Sequence, residues 1–222
     1  MKHLTHYKIF ENNSPNFPTT KAEVIKACNT YDIRYYTIND DLSIDVDGDV
    51  YLTSINLEYL PLRFNYVSGY FSCSTNRLVS LKGCPRTVGG NFSCAYNELK
   101  TLEGCPQTVN GNFLCYFNEL KSLEGCPQKV GGNFYCYDNK LKDLEHFPEV
   151  NGIIAIEENK VYLLVYTFIN KADSFMIEDF IDYEIVRNGD TVMLDRLQTF
   201  IRDNDLEMPD LEDIKKHYKI IE

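Results

Sequence analysis

Eight cysteines and one short acidic run are the residues whose types and spacing invite chemistry. Cys73, Cys84, Cys94, Cys105, Cys115, Cys126 and Cys136 follow one another at alternating separations of 11 and 10, and Cys28 stands apart. Thiolates hold zinc or pair as disulfides, but a zinc site draws on closely spaced pairs such as Cys-x-x-Cys, and this chain has none. In the same phase, Leu52 and Ile156 replace cysteine in one column, and Phe147 ends the other. A slot that accepts Leu, Ile, Phe or Cys is a buried apolar slot, where a free thiol acts as a small hydrophobe. Three cysteines in one column also cannot all pair within it. Structural thiols are expected, with no metal bound.

Asp45-Val46-Asp47-Gly48-Asp49 hints at a calcium loop. Such a loop needs further oxygen ligands and a closing Glu, and Val46 and Gly48 already belong to a repeat. His3, His6, His146 and His217 are scattered, with no Cys or Ser arranged beside them as a nucleophile. No phosphate-cradling loop or nucleophile elbow occurs. These residues predict no enzyme, no catalytic residues and no cofactor.

The alternation of cysteines comes from a 21-residue unit. One copy runs Val88-x-Gly90-x-Phe92-x-Cys94-x-x-Asn97-x-Leu99-x-x-Leu102-x-Gly104-Cys105-Pro106. Upstream, Val46, Gly48, Val50, Leu52, Ile55, Leu57 and Leu60 fall in the same frame; downstream, Val150, Gly152, Ile154, Ile156, Asn159 and Val161 match after a one-residue deletion. Val-x-Gly-x-Phe-x-Cys alternates as a strand with one buried face does. The asparagines Asn76, Asn97, Asn118, Asn139 and Asn159 sit where the chain leaves that strand and suit backbone satisfaction between turns. Leu-x-x-Leu returns apolar groups beneath it, and Gly-Cys-Pro closes the coil. Six rungs of parallel strands are predicted between 45 and 164.

The motif Phe92-x-Cys94-x-x-Asn97-x-Leu99 resembles the second half of the leucine-rich repeat signature. More narrowly, units of this kind look like a repeat type found in tailed bacteriophages and some bacteria. That resemblance covers roughly residues 35–165 and implies an α/β solenoid serving as a scaffold; His6-Tyr7-Lys8-Ile9-Phe10-Glu11 also resembles leaders of tailed-phage proteins. A host-cell cytoplasmic location follows from the resemblance, and the opening residues lack a secretory pattern.

Residues 1–44 are expected to form an N-terminal cap with a helix near 20–30, marked by the capping box Thr20-x-x-Glu23. Residues 165–222 should form an acidic helical cap, with helices over 174–183, 190–203 and 210–218, and Asn188-Gly189 as a break. The formal charge is −11, and residues from 151 onward hold 16 acids against 8 bases. No basic groove for nucleic acid and no apolar membrane span is expected. The stacked Lys100, Lys121 and Lys142 beside Glu103, Glu124 and Glu145 read as a solvated face.

Strand alternation turns four columns outward: Tyr70, Asn91, Asn112, Asn133; Ser72, Ser93, Leu114, Tyr135; Ser74, Ala95, Tyr116, Tyr137; and Thr75, Tyr96, Phe117, Asp138. Aromatic residues thus gather late in the array, and Tyr96, Leu114, Tyr116, Phe117, Tyr135 and Tyr137 are the candidate partner-binding residues. The expected function is a non-catalytic protein–protein scaffold acting on a host or phage protein, for instance by blocking a host function. Two rivals stand beside it: a virion or oligomeric assembly component, in which copies associate, and an acidic mimic of a polyanion.

Overall fold

The computed structural model describes residues 15–169 and 174–222, with side chains described outside 167–175. The leader motif, His3 and His6 lie outside the described residues. Helix α1 (Lys21–Thr30) begins at Thr20, whose hydroxyl accepts from the Glu23 amide at 3.2 Å. The Glu23 carboxylate reaches back to the Thr19 amide at 2.8 Å, one residue earlier than a capping box places it.

A β-solenoid built of parallel strands follows. Each unit carries two short strands where the sequence predicts one, because the chain bends at the Gly-x step between Val and Phe. The first strands of the units are β2 (Ile44–Val46), β4 (Phe64–Val67), β6 (Thr87–Val88), β8 (Thr108–Val109), β10 (Lys129–Val130) and β12 (Glu149–Val150). The second are β3 (Val50–Tyr51), β5 (Phe71–Ser72), β7 (Phe92–Ser93), β9 (Phe113–Leu114), β11 (Phe134–Tyr135) and β13 (Ile154–Ala155). Each set stacks in parallel into its own sheet, and β1 (Tyr36–Ile38) closes the first sheet antiparallel to β2. Six rungs are thus joined by about five turns at a spacing near 21 residues.

The bend follows from close approach of the backbone. A Cβ on Gly90 would lie 2.8 Å from the Gly69 carbonyl group, and one on Gly111 only 2.4 Å from Asn91 Oδ1. At this corner the residue after the glycine supplies a side-chain rail. Asp49 Oδ1 accepts from the Tyr70 amide at 2.7 Å; Asn91, Asn112 and Asn133 repeat the contact onto Asn112, Asn133 and Ile153 at 2.8 Å.

Inside, Phe71, Phe92, Phe113 and Phe134 stack with centroids 5.4–5.7 Å apart. Phe64 and Phe147 turn their edges onto the two ends of this column. Burial of each such ring is worth about 1.5–3 kcal/mol. Both cysteine columns lie beside it; all eight thiols are free and all but the half-buried Cys126 are buried. Burial pushes most of these thiols above their usual range, led by Cys84, Cys94, Cys115 and Cys126.

A second polar rail runs through the asparagine column. Asn118 Nδ2 donates to the carbonyls of Cys94 (3.1 Å) and Cys115 (3.0 Å), and its Oδ1 accepts from the Leu99 amide at 3.1 Å. Asn97, Asn139 and Asn159 repeat this scheme. The residue before each asparagine is held in the left-handed region: Ser54, Thr75, Tyr96, Phe117, Asp138 and Glu158 have φ between 51° and 59°. Ile55, in the asparagine slot of the first rung, is 44% exposed, since no earlier rung covers it.

Beyond the last rung come α2 (Tyr162–Ile169) and α3 (Ser174–Asp182), then a region that is not purely helical. A small sheet forms from β14 (Val186–Arg187), β15 (Thr191–Met193) and β16 (Lys219–Ile221), with α4 (Leu194–Asp203) and α5 (Leu211–Lys215) between the last two strands. The expected helix from 190 therefore starts only at Leu194, and the one expected over 210–218 ends at Lys215. Asn188 and Gly189 both have positive φ, 54° and 63°, so their pair makes a hairpin turn joining β14 to β15 rather than a mere break. This C-terminal unit meets the solenoid at its last rungs. Tyr218 donates its hydroxyl to the Lys142 carbonyl at 2.9 Å, and Lys160 lies over the Tyr218 ring at 4.1 Å. One continuous apolar core runs from Val24 in α1 through the phenylalanine column to Phe200 and Ile214.

Candidate functional site

The candidate face is built where the second sheet ends and the chain enters the left-handed slot. Position 116 leaves strand β9 on the outer side, and position 117 follows with positive φ, so two consecutive side chains emerge per rung. In the third to fifth rungs these positions hold Tyr96, then Tyr116 and Phe117, then Tyr137. Tyr96 stacks on Phe117 (4.6 Å, 12°) and Tyr116 on Tyr137 (4.6 Å, 7°). The two stacks meet edge to face: Tyr96 on Tyr116 at 5.4 Å, Tyr116 on Phe117 at 5.9 Å, Phe117 on Tyr137 at 5.8 Å. Each such pair adds about 0.5–1.5 kcal/mol beyond area burial, so the four rings form one preorganised block.

That block is open. Tyr96 is 48% exposed and Phe117 39%, while Tyr116 and Tyr137 are half-buried by one another. Burial is the main cause that raises both phenols, reinforced by neighbouring tyrosines. They remain neutral hydrogen-bonding groups at ordinary pH. Leu114 and Tyr135 lie side by side on the same face, in register between β9 and β11, and both are half-buried. Tyr135 accepts from Asn133 Nδ2 at 2.8 Å and is thereby tied to the corner rail; it makes none of the block's ring contacts.

Three positions in the outward phase are nonetheless buried. Ser72 and Ser93 are 3% exposed and Ala95 is 1% exposed. Their side chains are small enough for the surface to close over them, and a hydroxyl chain links Thr53, Ser72, Ser74 and Ser93 at 2.6–3.1 Å. In the Ser72 column the second and third rungs are therefore flat where the later ones carry Leu114 and Tyr135, while the first rung ends it with Tyr51, 60% exposed and edge-on to Tyr70 at 5.7 Å.

Sequence reasoning placed Asp138 in an outward column but did not carry the columns on to Glu157 and Glu158. Continuing the two columns past Tyr137 and Phe117 places Glu157 in one, and Asp138 then Glu158 in the other. The in-frame matches at Ile156 and Asn159 give this register, since both glutamates lie between them.

Elsewhere, the acidic run is absorbed by the fold. Asp45 accepts from Asn65 at 2.7 Å, Asp47 from Ser68 at 3.0 Å, and Asp49 from the Tyr70 amide and the Tyr51 hydroxyl. Among the described residues no group of three or more His, Cys, Asp or Glu is placed to hold a metal ion. No described helix is long and apolar enough to cross a membrane. The lysine and glutamate columns form no ion pairs with each other among the described residues.

No family model matches the chain, and no curated protein or solved structure does either.

Proposed function

We propose that this protein is a non-catalytic, leucine-rich-repeat-like scaffold of phage origin that holds a host or phage protein on its aromatic face. One observation carries the reading: the described residues leave the four interlocked rings exposed or half-exposed, while the C-terminal unit docks around Lys142. Exposed, rigid aromatic clusters are the commonest anchors of protein recognition. In this reading α1 and the C-terminal unit cap the two ends of the array, where unpaired rungs would otherwise be exposed.

Affinity capture from bacterial lysate with mass spectrometry tests it, comparing wild type with Tyr116→Ala/Tyr135→Ala/Tyr137→Ala. A protein retained by wild type and lost by the folded variant supports the scaffold. Equal retention by both removes the aromatic face from the proposal.

A second reading, an oligomeric assembly piece, draws on the open edges of the second sheet. Among the described residues its terminal strands β3 and β13 have no further strand beside them, and Tyr51 and Ile153 there are 60% and 65% exposed. An unpaired edge invites another copy. Light-scattering mass of the purified chain separates the two: a monomer favours the first, a concentration-dependent multimer the second.

A further inference from the structure

The rings form two stacks along the rod, Tyr96 on Phe117 and Tyr116 on Tyr137, with one ring per rung in each, so the free faces of Phe117 and Tyr137 look towards the next rung. Beyond Phe117 the next positions of its column are Asp138 and Glu158; beyond Tyr137 the next is Glu157. The Asp138 amide donates to the Glu157 carbonyl at 3.0 Å, which brings these two carboxylate-bearing residues side by side. None of the three makes an ion pair among the described residues, and the nearby cations are engaged elsewhere. Lys140 pairs with Glu119 at 3.3 Å, and Lys160 is turned onto the Tyr218 ring and the Gly189 carbonyl.

We infer that this face receives an arginine-bearing segment of its protein partner, the guanidinium stacking on Phe117 and Tyr137 and pairing with Asp138, Glu157 and Glu158. The inference rests on the scaffold reading above. A guanidinium is planar, weakly hydrated and able to pair with carboxylate while lying on an aromatic ring. A lysine ammonium keeps its water and has no plane to continue a stack. A nucleic acid would meet three carboxylates of its own sign, and a neutral glycan would leave all three unpaired.

The test titrates the full chain with a peptide of alternating glycine and arginine, and with the same peptide carrying lysine, following the tyrosine and phenylalanine ring signals by NMR. The arginine peptide should bind roughly tenfold tighter than the lysine one and shift the signals of the block. Asp138→Asn/Glu157→Gln/Glu158→Gln and Phe117→Leu/Tyr137→Leu, each checked for fold by circular dichroism, should each weaken it by about tenfold. Equal affinity for the two peptides, no binding, or indifference to neutralisation overturns the inference. Capture of the cellular partner then separates the levels. A partner lost by the aromatic variant but kept by the neutralised one leaves the scaffold standing and removes the arginine; a partner kept by both removes the scaffold as well.

Discussion

Replacing Asn118 by alanine tests whether the asparagine rail holds the rungs together. Asn118 is 8% exposed and its side chain serves four main-chain groups on two adjacent rungs. The carbonyls of Cys94 and Cys115 would keep second donors, Asn97 at 3.0 Å and Asn139 at 3.0 Å. The Leu99 amide would keep none of its side-chain partner and lies in a buried residue. An orphaned buried N–H costs about 1–3 kcal/mol, so a loss of about 2 kcal/mol is expected, against a typical total of about 5–15. Asn97→Ala should cost a similar amount. The double variant should lose more than the sum, by on the order of 1 kcal/mol, because the Cys94 carbonyl then loses both side-chain donors. Asn118→Asp is worse at neutral pH, since it sets a carboxylate against two carbonyls. That excess penalty should shrink as pH falls towards the unfolded carboxyl pKa of about 4 and below, where the aspartic acid regains a proton to donate. Urea unfolding followed by far-ultraviolet circular dichroism measures all four proteins. Loss below about 0.5 kcal/mol for Asn118→Ala, or strict additivity in the double variant, would refute the rail as a continuous tie.

Three further outcomes are expected. Phe113→Ala empties the middle of the phenylalanine column and should cost about 3–5 kcal/mol in the same urea assay. Gly111→Ala puts a Cβ against Asn91 Oδ1 and the Gly90 backbone; the expected loss is about 2 kcal/mol or more, read as a lowered melting temperature. Six thiols, those of Cys28, Cys84, Cys94, Cys105, Cys115 and Cys126, are raised in the folded chain, chiefly by burial. Unfolded thiols release protons near pH 8.5 while the buried ones keep theirs, so stability is flat below about pH 8 and falls above it. Urea midpoints across pH 7–10 check this, and native thiols should label far more slowly than denatured ones. A midpoint that rises with alkalinity would contradict the sign.

Much of this architecture is legible in the sequence because a stack repeats its own constraints. Phe92, Cys94, Leu99 and Leu102 each recur at the same offset, and a position that must be buried in every rung cannot hide. The corner at Gly90-Asn91 was not legible: alternation of buried residues continues through it, so one bent strand pair and one straight strand leave the same pattern. Asn188-Gly189 did carry a hairpin signal, but with only two or three residues per strand on either side no period could develop. At the face, ring identity and outward phase pointed to Tyr96, Tyr116, Phe117 and Tyr137. Their mutual stacking depends on side-chain packing, which spacing does not encode. Ser93 and Ala95 were misjudged because exposure depends on the size of neighbours as well as on phase.

The left-handed slot has an engineering consequence. Six rungs place Ser54, Thr75, Tyr96, Phe117, Asp138 and Glu158 there, all in nearly the same conformation and none of them glycine. Left-handed backbone costs an ordinary residue about 1–2 kcal/mol, less for an Asp such as Asp138 and more for a β-branched residue such as Thr75, yet all are accepted in this slot. The asparagine that follows holds the geometry from Thr75 onward, and the side chain is left to face outward. Fold and surface are thereby written in separate columns of one text. From the second rung to the fifth, a hydroxyl is exchanged for a ring or a carboxylate at this position while the Phe, Cys, Asn and Leu beneath stay word for word the same.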